Sequence, residues 1–574
     1  MFRNTLYTFL ILITMALLIA PRFLLLSLGP DTKRLSDASL LPTTLELMSS
    51  VKNDSLPAFF ADDHKYPLLG SYLISPAVLT HYIFYKISGT YDTPLDFLKS
   101  YALRESNLYK FVEVEMLFLN IIAIIIIIYA ARKFTSEEYS KNTALFAILV
   151  SAVSSYALFF SVTPRIHSFL FFFTAVTLLA SFRLAEKKSG LNYALAFGGA
   201  ALAFSSGQTG ITNFVMPVLA HFVLYTNGKL SWSFTKEKIF NKFLWMFLVI
   251  AILLSVVIGY PRVIFTLTNF AQNSATIPNS FLSQKHPNPR VGLGGISRFL
   301  YHSYPTSELT SALSSFIAVL FLIRRKNKLT VYEIIAGSHV ASFLFLSLIF
   351  SRIYSGYFIL AVLPSLFFLT ASLMAKLTKK PIVMAIFIAL LLIQSSMVFL
   401  IARITYGGDT ISSTRAYMLE KTSINEKILS SINNHILNLP TTPENLTSAP
   451  ESELSGVDKT IKANGFKGAT TRDISWARDK ATITNGEFES LQYSWIIFFD
   501  EKDIAKTKET LCSKGFMLVK SFISHPEDRR EIHHLLSLPF VWDIKELTFV
   551  KATGPNIYIF KKGECHPDTF VRTF

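Results

Sequence analysis

Acid, base and cation gather in the stretch between the first two long apolar runs. Asp31 and Asp37 open it, a helix-patterned run from Ala38 to Val51 follows, and Asp62-Asp63-His64-Lys65-Tyr66-Pro67 closes it. A carboxylate can take a proton from a hydroxyl, and a lysine or arginine can hold the charge of a departing anion. Asp37 fits a plainer role equally well, capping the helix that begins after it. Asp62, Asp63 and His64 bring the oxygen and imidazole donors that ligate a divalent metal, and they also suit a solvated polar turn.

Two further cationic turns stand at the edges of apolar runs, Pro164-Arg165-Ile166-His167 and Ser351-Arg352-Ile353-Tyr354. Side chains there either meet an anion or reach for lipid headgroups from a helix end. Glu113 and Glu115 begin the second apolar run, where an ionisable side chain faces a polar cavity or lies shallow enough to stay hydrated. Lys285, His286 and Arg290 precede Gly292-Leu293-Gly294-Gly295, a loop suited to closing over a ligand or to plain basic loop duty. Its glycines lack the strand-then-helix setting of a nucleotide-binding turn, so no nucleotide cofactor is expected.

The elements that must position these residues are apolar. Of 574 residues, 51% are hydrophobic and 16% charged, against about 25% charged in an ordinary soluble domain. The excess falls in blocks of about 20 residues, the length that crosses a bilayer core. They read as Thr5 to Gly29, Lys110 to Ala131, Ser140 to Val162, Ile166 to Ser181, Leu191 to Ser206 and Ile211 to Thr226. Ile239 to Tyr260, Ser307 to Ile323, Val331 to Phe350, Tyr354 to Ala375 and Pro381 to Ile404 complete the set. The first block is longer than a signal-peptide core and lacks a small-x-small cleavage site, so it reads as a retained span.

Charge sets the sidedness. The formal charge is +16, yet from Thr405 onward 21 basic residues face 22 acidic ones, leaving 34 basic and 17 acidic residues in the apolar part. The surplus therefore belongs to the turns between spans, which argues against a nucleic-acid partner and for lysine and arginine held on the cytoplasmic side. With the N-terminus inside, the clusters at Arg132 and Lys133, Arg183 to Lys188, Lys229 to Lys238, Arg324 to Lys328 and Lys376 to Lys380 all fall on that side. Pro67 to Ile87 would invert this pattern if it crossed, so it is expected to lie at the outer face. The same count leaves two long outer loops, 30–109 and 261–306, and puts the C-terminal part outside the cytoplasm. The fold class expected is thus a polytopic α-helical membrane protein of about eleven spans over 1–404, a linker over 405–450, and a small α/β domain over 451–574. In that last part Tyr493 to Phe499, Phe516 to Ile523 and Asn556 to Phe560 read as strands and Ile504 to Ser513 as a helix. The chain's two cysteines, Cys512 and Cys565, fall there too, either as a disulfide in an oxidising space or as two buried thiols.

Asp37 with Met48, then Lys65-Tyr66-Pro67-Leu68-Leu69, then Pro164-Arg165-Ile166-His167 and Ser351-Arg352-Ile353-Tyr354 running into Leu363-Pro364 form an ordered series. It resembles the GT-C superfamily of polyprenyl-phosphate-sugar-dependent glycosyltransferases, in particular the protein O-mannosyltransferase and aminoarabinose transferase branch, over roughly the first 400 residues. Ala38 and Gln208 depart from the family pattern, where a Glu and a Lys are frequent. The resemblance implies a bacterial inner-membrane enzyme that moves a sugar from a polyprenyl-phosphate donor to an extracytoplasmic glycan, lipid or protein acceptor, with inversion. In it Asp37 is the base, and Lys65, Arg165, His167, Arg352 and Tyr354 surround the donor phosphate. The alternatives are a transporter or flippase of lipid-linked glycans, expected to carry charge near the bilayer midplane or discontinuous helices, and a non-catalytic scaffold. Topology is directly testable: a reporter fused after Ile404 should be active outside the cytoplasm, and a cytoplasmic signal would overturn the span count.

Overall fold

In a bilayer every backbone polar group must be satisfied within the protein, so long apolar runs become helices. The computed structural model describes residues 18–23, 40–52, 56, 67–94, 96–97, 108–161, 165–226, 229–261, 315–316, 329–349, 356–406, 410–422, 426–430, 474–476, 493–499, 504–523 and 556–564. Four helical stretches among them are long and apolar enough to cross a membrane: Lys110–Lys133, Ile166–Glu186, Lys236–Gly259 and Pro381–Ile404.

Before the bundle, α1 (Leu40–Lys52) packs against α2 (Leu69–Ile87), and α2 lies on α3 (Leu108–Lys133). α4 (Glu137–Ala152) and the short α5 (Ser155–Phe160) lead into α6 (Ile166–Glu186), and α7 (Gly190–Ser206) returns alongside it. α6 is the axis of the bundle. Phe169, Phe171 and Phe182 are fully enclosed by α3, α7 and later helices. α10 (Lys242–Gly259), reached through the short α9 (Lys236–Ile239), packs on α7 and turns Trp245, Val249 and Leu253 outward. α13 (Pro381–Tyr406) does the same with Ile382, Leu392 and Phe399. Outward apolar rows of this extent suit contact with lipid tails and not with water.

The stretch Ile211 to Thr226, expected as one span, is three elements instead. A 3-10 helix, η1 (Gln208–Phe214), passes into α8 (Val215–His221) and then into β1 (Val223–Thr226), which pairs antiparallel with β2 (Lys229–Trp232). The physical reason is close packing. A Cβ on Gly210 would stand 2.2 Å from the carbonyl oxygen of Ala203 in α7, so η1 is pressed against the helix before it. Pro217 falls in the first turn of α8, where its missing N–H costs nothing. Gly259 plays the matching part at the end of α10, with Ser205 Cα 2.7 Å from where its Cβ would be. Ser205 Oγ donates to Ser255 O at 3.2 Å and Ser255 Oγ to Ala201 O at 3.3 Å across the same seam. Small residues allow such backbone approach between membrane helices.

α11 (Val331–Ile349), a second 3-10 helix, η2 (Gly356–Ala361), and α12 (Leu363–Lys376) complete the described bundle before α13. α11 starts with a reciprocal cap: Thr330 N–H donates to Glu333 Oε2 at 2.7 Å and Glu333 N–H to Thr330 Oγ1 at 3.2 Å. The buried Glu333 carboxylate also takes hydrogen bonds from Ser372 Oγ and Lys376 Nζ of α12, each at 2.6 Å. Tyr332 OH donates to Glu186 at 2.9 Å, and Lys379 pairs with Glu138 at 3.5 Å. The ends of α4, α6, α11 and α12 that carry these residues therefore make one basic end of the bundle.

Beyond α13, α14 (Thr410–Lys421) and β3 (Ile428–Ser430) fall inside the stretch read as a linker. β3 pairs in parallel with β4 (Ile474–Trp476) and β5 (Trp495–Phe499), and β7 (Ile557–Lys562) lies antiparallel between β5 and β6 (Phe516–Phe522). Alternation divides the sheet's two faces: Trp495, Ile497, Ile557 and Ile559 pack with α14, while Ile496, Phe498, Tyr558 and Phe560 pack with α15 (Ile504–Ser513). Covered on both faces, β5 reads as a continuous apolar run. Cys512 in α15 is disulfide-bonded; Cys565 lies outside the described residues.

Packing at η1 gives a stability prediction. Gly210→Ala should lower thermal stability in detergent by about 1–3 kcal/mol through overpacking against backbone. Gly198 has open space where its Cβ would be, so Gly198→Ala should be neutral or stabilise by up to about 1 kcal/mol. Equal behaviour of the two variants in a thermal unfolding series would refute the close approach.

Candidate functional site

Arg165 and His167 sit where α5 turns into α6. Ser154 caps α5 by accepting from Ala157 N–H at 3.1 Å, and Ser168 Oγ donates back to Phe160 O at 2.7 Å, closing the turn. Arg165 has extended backbone and its carbonyl accepts from Ser168 N–H at 3.1 Å. Both candidate side chains are buried, at 3% and 2% exposure. The Arg165 guanidinium lies 5.6 Å from the centre of the Phe160 ring, and the His167 ring lies 5.7 Å from it on centroids. An arginine over an aromatic face keeps its charge with little surrounding water.

Other candidates are reached through their neighbours in the chain. Asp37, Asp62, Asp63, His64, Lys65, Arg352 and Tyr354 lie outside the described residues. The chain just after Lys65 is fixed by Leu68 N–H, which donates to Gly259 O at 3.0 Å at the end of α10. The chain just after Tyr354 becomes η2, which packs on α5, α6 and η1, with Thr174 Oγ1 of α6 donating to Ala361 O at 3.2 Å. The end of α10, the end of α7, η1, η2 and the α5–α6 turn thus form one continuous set at the end of the bundle opposite the basic one.

Glu113 and Glu115 do not act as a pair. Two positions apart on a helix they point to different sides, and Glu113 is fully buried while Glu115 is half-buried. One Glu115 oxygen, Oε2, is enclosed and takes no hydrogen bond. Among the described residues no group of three or more histidines, cysteines and acids could hold a metal ion.

Three buried polar features escaped the sequence reading. Arg22, in the helical segment 18–23, is fully buried. Its Nε donates to Asn120 Oδ1 at 3.2 Å, its Nη1 to Leu18 O at 2.6 Å, and its Nη2 makes a long contact to Ser151 O at 3.4 Å. Asn120 in turn donates to Ala157 O at 3.2 Å. Deeper in the bundle, His339 bridges Thr212 Oγ1 at 3.1 Å and Ser365 Oγ at 2.8 Å, next to the enclosed side chain of Asn213. His81 of α2 is enclosed by Tyr85, Tyr91, Phe97 and Phe111, with ring centroids 4.5 to 6.3 Å away. The usable signal for the first two was a polar side chain inside an apolar run. For His81 it was the aromatic density of 82–111.

No protein-family model and no curated protein matches the chain. Among solved structures it is similar to ArnT from Cupriavidus metallidurans in the apo state, with 12% identity over 87% of this chain and 94% of that one and a TM-score of 0.46. The same protein bound to undecaprenyl phosphate aligns with 11% identity over 96% and 97% and the same score. The Archaeoglobus fulgidus oligosaccharyltransferase in complex with zinc and sulfate aligns with 11% identity over 88% and 69% and a TM-score of 0.40.

Asn120 joins Arg22 to the α5–α6 turn, so its removal should be felt. Asn120→Ala leaves a buried guanidinium with one acceptor fewer and should destabilise by about 1–3 kcal/mol. Ser396→Ala removes an exposed hydroxyl bonded within its own helix and should cost about nothing. Indistinguishable unfolding midpoints would remove Asn120 from this role.

Proposed function

We propose that this chain is an integral membrane glycosyltransferase of the GT-C type, transferring a sugar from a polyprenyl-phosphate donor to an acceptor hydroxyl at the outer face of a bacterial inner membrane. The observation that carries the reading is the meeting of separated segments at one end of the bundle. There the buried Arg165 and His167 lie within the same set of packed elements as the chain that leaves Lys65 and the chain that leaves Tyr354. A site for a lipid phosphate needs that kind of convergence, since cations from distant positions must reach one anion.

In the proposed reaction Asp37 takes the proton of the acceptor hydroxyl as its oxygen attacks the anomeric carbon. The bond from that carbon to the phosphate oxygen breaks, and its electron pair leaves with the polyprenyl phosphate. Lys65, Arg165 and Arg352 stabilise the charge that grows on the leaving phosphate, with His167 and Tyr354 beside them. Attack opposite the leaving group inverts the anomeric centre. Asp62, Asp63 and His64 are the donor set available to a divalent cation, and no step requires one. The acceptor class, glycan, lipid or protein, follows from surfaces beyond these residues.

One observation favours a second reading, a transporter of lipid-linked glycans. The η1–α8 segment is a discontinuous helix, and His339 with Thr212 is buried inside the bundle beside it, a pattern found at transport sites. Reconstitution with a labelled polyprenyl-phosphate sugar separates the two, because a transferase makes a covalent acceptor product and a transporter only moves the donor across. Asp37→Asn should cut transfer by roughly a hundredfold or more while the protein still accumulates in the membrane. Undiminished turnover in that variant would dismiss Asp37 as the base.

A further inference from the structure

At the basic end, two lysines converge with no acid to answer them. Lys188, in the turn between α6 and α7, donates its ammonium to the carbonyl of Ala220 near the end of α8. Lys238 of α9 has its Nζ enclosed and without a hydrogen-bond acceptor. Lys188 is an exposed residue whose pKa is nonetheless brought down to about 7, by desolvation first and then by the charge of Lys238, so the two are near enough to interact. Between them His221 is fully committed. Its Nδ1 meets the Tyr193 hydroxyl and its Nε2 donates to Lys238 O at 3.0 Å, so neither ring nitrogen is left to receive a lysine.

Carboxylates on the neighbouring elements are engaged elsewhere or point away. Glu186 at the end of α6 accepts from Tyr332, and Glu237 is exposed on α9. Among the described residues neither lysine forms an ion pair. An enclosed ammonium without an acceptor, beside a second one held by a single carbonyl, is an electrostatic arrangement completed by an anion. The surroundings indicate where the anion comes from. Phe234, Phe240, Phe243 and Trp245 are all exposed on the same hairpin and helix starts, and aromatic side chains of this kind sit at the headgroup level of a bilayer. Basic pockets between helices at the cytoplasmic side bind the phosphates of anionic lipids.

We propose that Lys188 and Lys238 form a phosphate-binding site that takes the headgroup of an anionic phospholipid at the basic end of the bundle, separate from the proposed transfer site. The test uses the full-length protein purified in neutral detergent, with thermal unfolding followed against added phosphatidylglycerol, phosphatidylcholine or inorganic phosphate. Phosphatidylglycerol should raise the midpoint and phosphatidylcholine should not. In Lys188→Met and in Lys238→Met the concentration of phosphatidylglycerol needed should rise about tenfold, about 1.4 kcal/mol. Lys238→Arg keeps the charge and should keep the response, which guards against a variant that merely folds poorly, and Lys187→Met, at an exposed neighbour, should behave as the parent. Protection by inorganic phosphate, lost in the same two variants, would support the phosphate site while replacing the lipid by the free anion. An unchanged phosphatidylglycerol response in both Met variants, or equal protection by phosphatidylcholine, would overturn the proposal. Sugar transfer is not the readout, so this result stands or falls apart from the catalytic reading.

Discussion

A guanidinium held entirely by neutral oxygens sets the geometry of the bundle opposite its basic end. Arg22 reaches α3 through Asn120, its own helix through Leu18 O and the end of α4 through Ser151 O. Because Asn120 spends its amide on Ala157 O, the charge is coupled to α5 and through Ser168 and Phe160 to the start of α6. A buried cation without a carboxylate is costly unless every acceptor stays in place. The same bonds that satisfy Arg22 therefore fix where Arg165 and His167 stand. Hydrogen bonds to a charged donor exceed those between neutral groups, so this set constrains the turn more firmly than apolar packing alone would.

Packing elsewhere follows from the absence of a hydrophobic drive between helices in lipid. Close backbone approach takes its place. Gly210 against Ala203 and Gly259 against Ser205 bring η1 and α10 onto the end of α7, and Leu68 is then hydrogen-bonded to Gly259. One helix end thereby locates both the chain leaving the first long loop and the 3-10 segment facing η2. The proposed site inherits its placement from small residues that carry no chemistry themselves.

This division explains what could be read from the residues in advance. Helices α3, α6, α7, α10 and α13 follow from runs of apolar residues, and strands β5 to β7 with α15 follow from local periodicity, because each signal is contained in its own segment. Ile211 to Thr226 has the same apolar composition, but its conformation is decided by Ala203, which blocks any Cβ at Gly210, and by Lys229 to Trp232, which pair with β1. Composition within the run holds neither fact. β3 was hidden for a similar reason: three residues, Ile428 to Ser430, make a central strand only because β4 and β5 flank them from far along the chain. At the site, Arg165 and His167 stood out by their place at a span edge, whereas Arg22 and Asn120 matter through each other, and a relation between distant spans leaves no local pattern.

The basic end of the bundle treats charge in two opposite ways. Glu333 is fully enclosed, yet Lys376, Ser372 and the start of its own helix surround it with donors, so its charge is balanced inside the protein. Its position at the N-terminus of α11 adds the favourable end of the helix dipole. A short distance along the same end, Lys188 has one carbonyl, that of Ala220, Lys238 Nζ has none, and the two ammonium groups repel each other. A bundle able to neutralise Glu333 so completely had the same means available for the lysines, since a single acid turned toward them, as the exposed Glu237 is not, would serve. Balanced charge stabilises a fold without outside help, and unbalanced charge is stable only when something from outside completes it. The contrast within one end of one protein is therefore what separates a structural cap from a place where an anion binds.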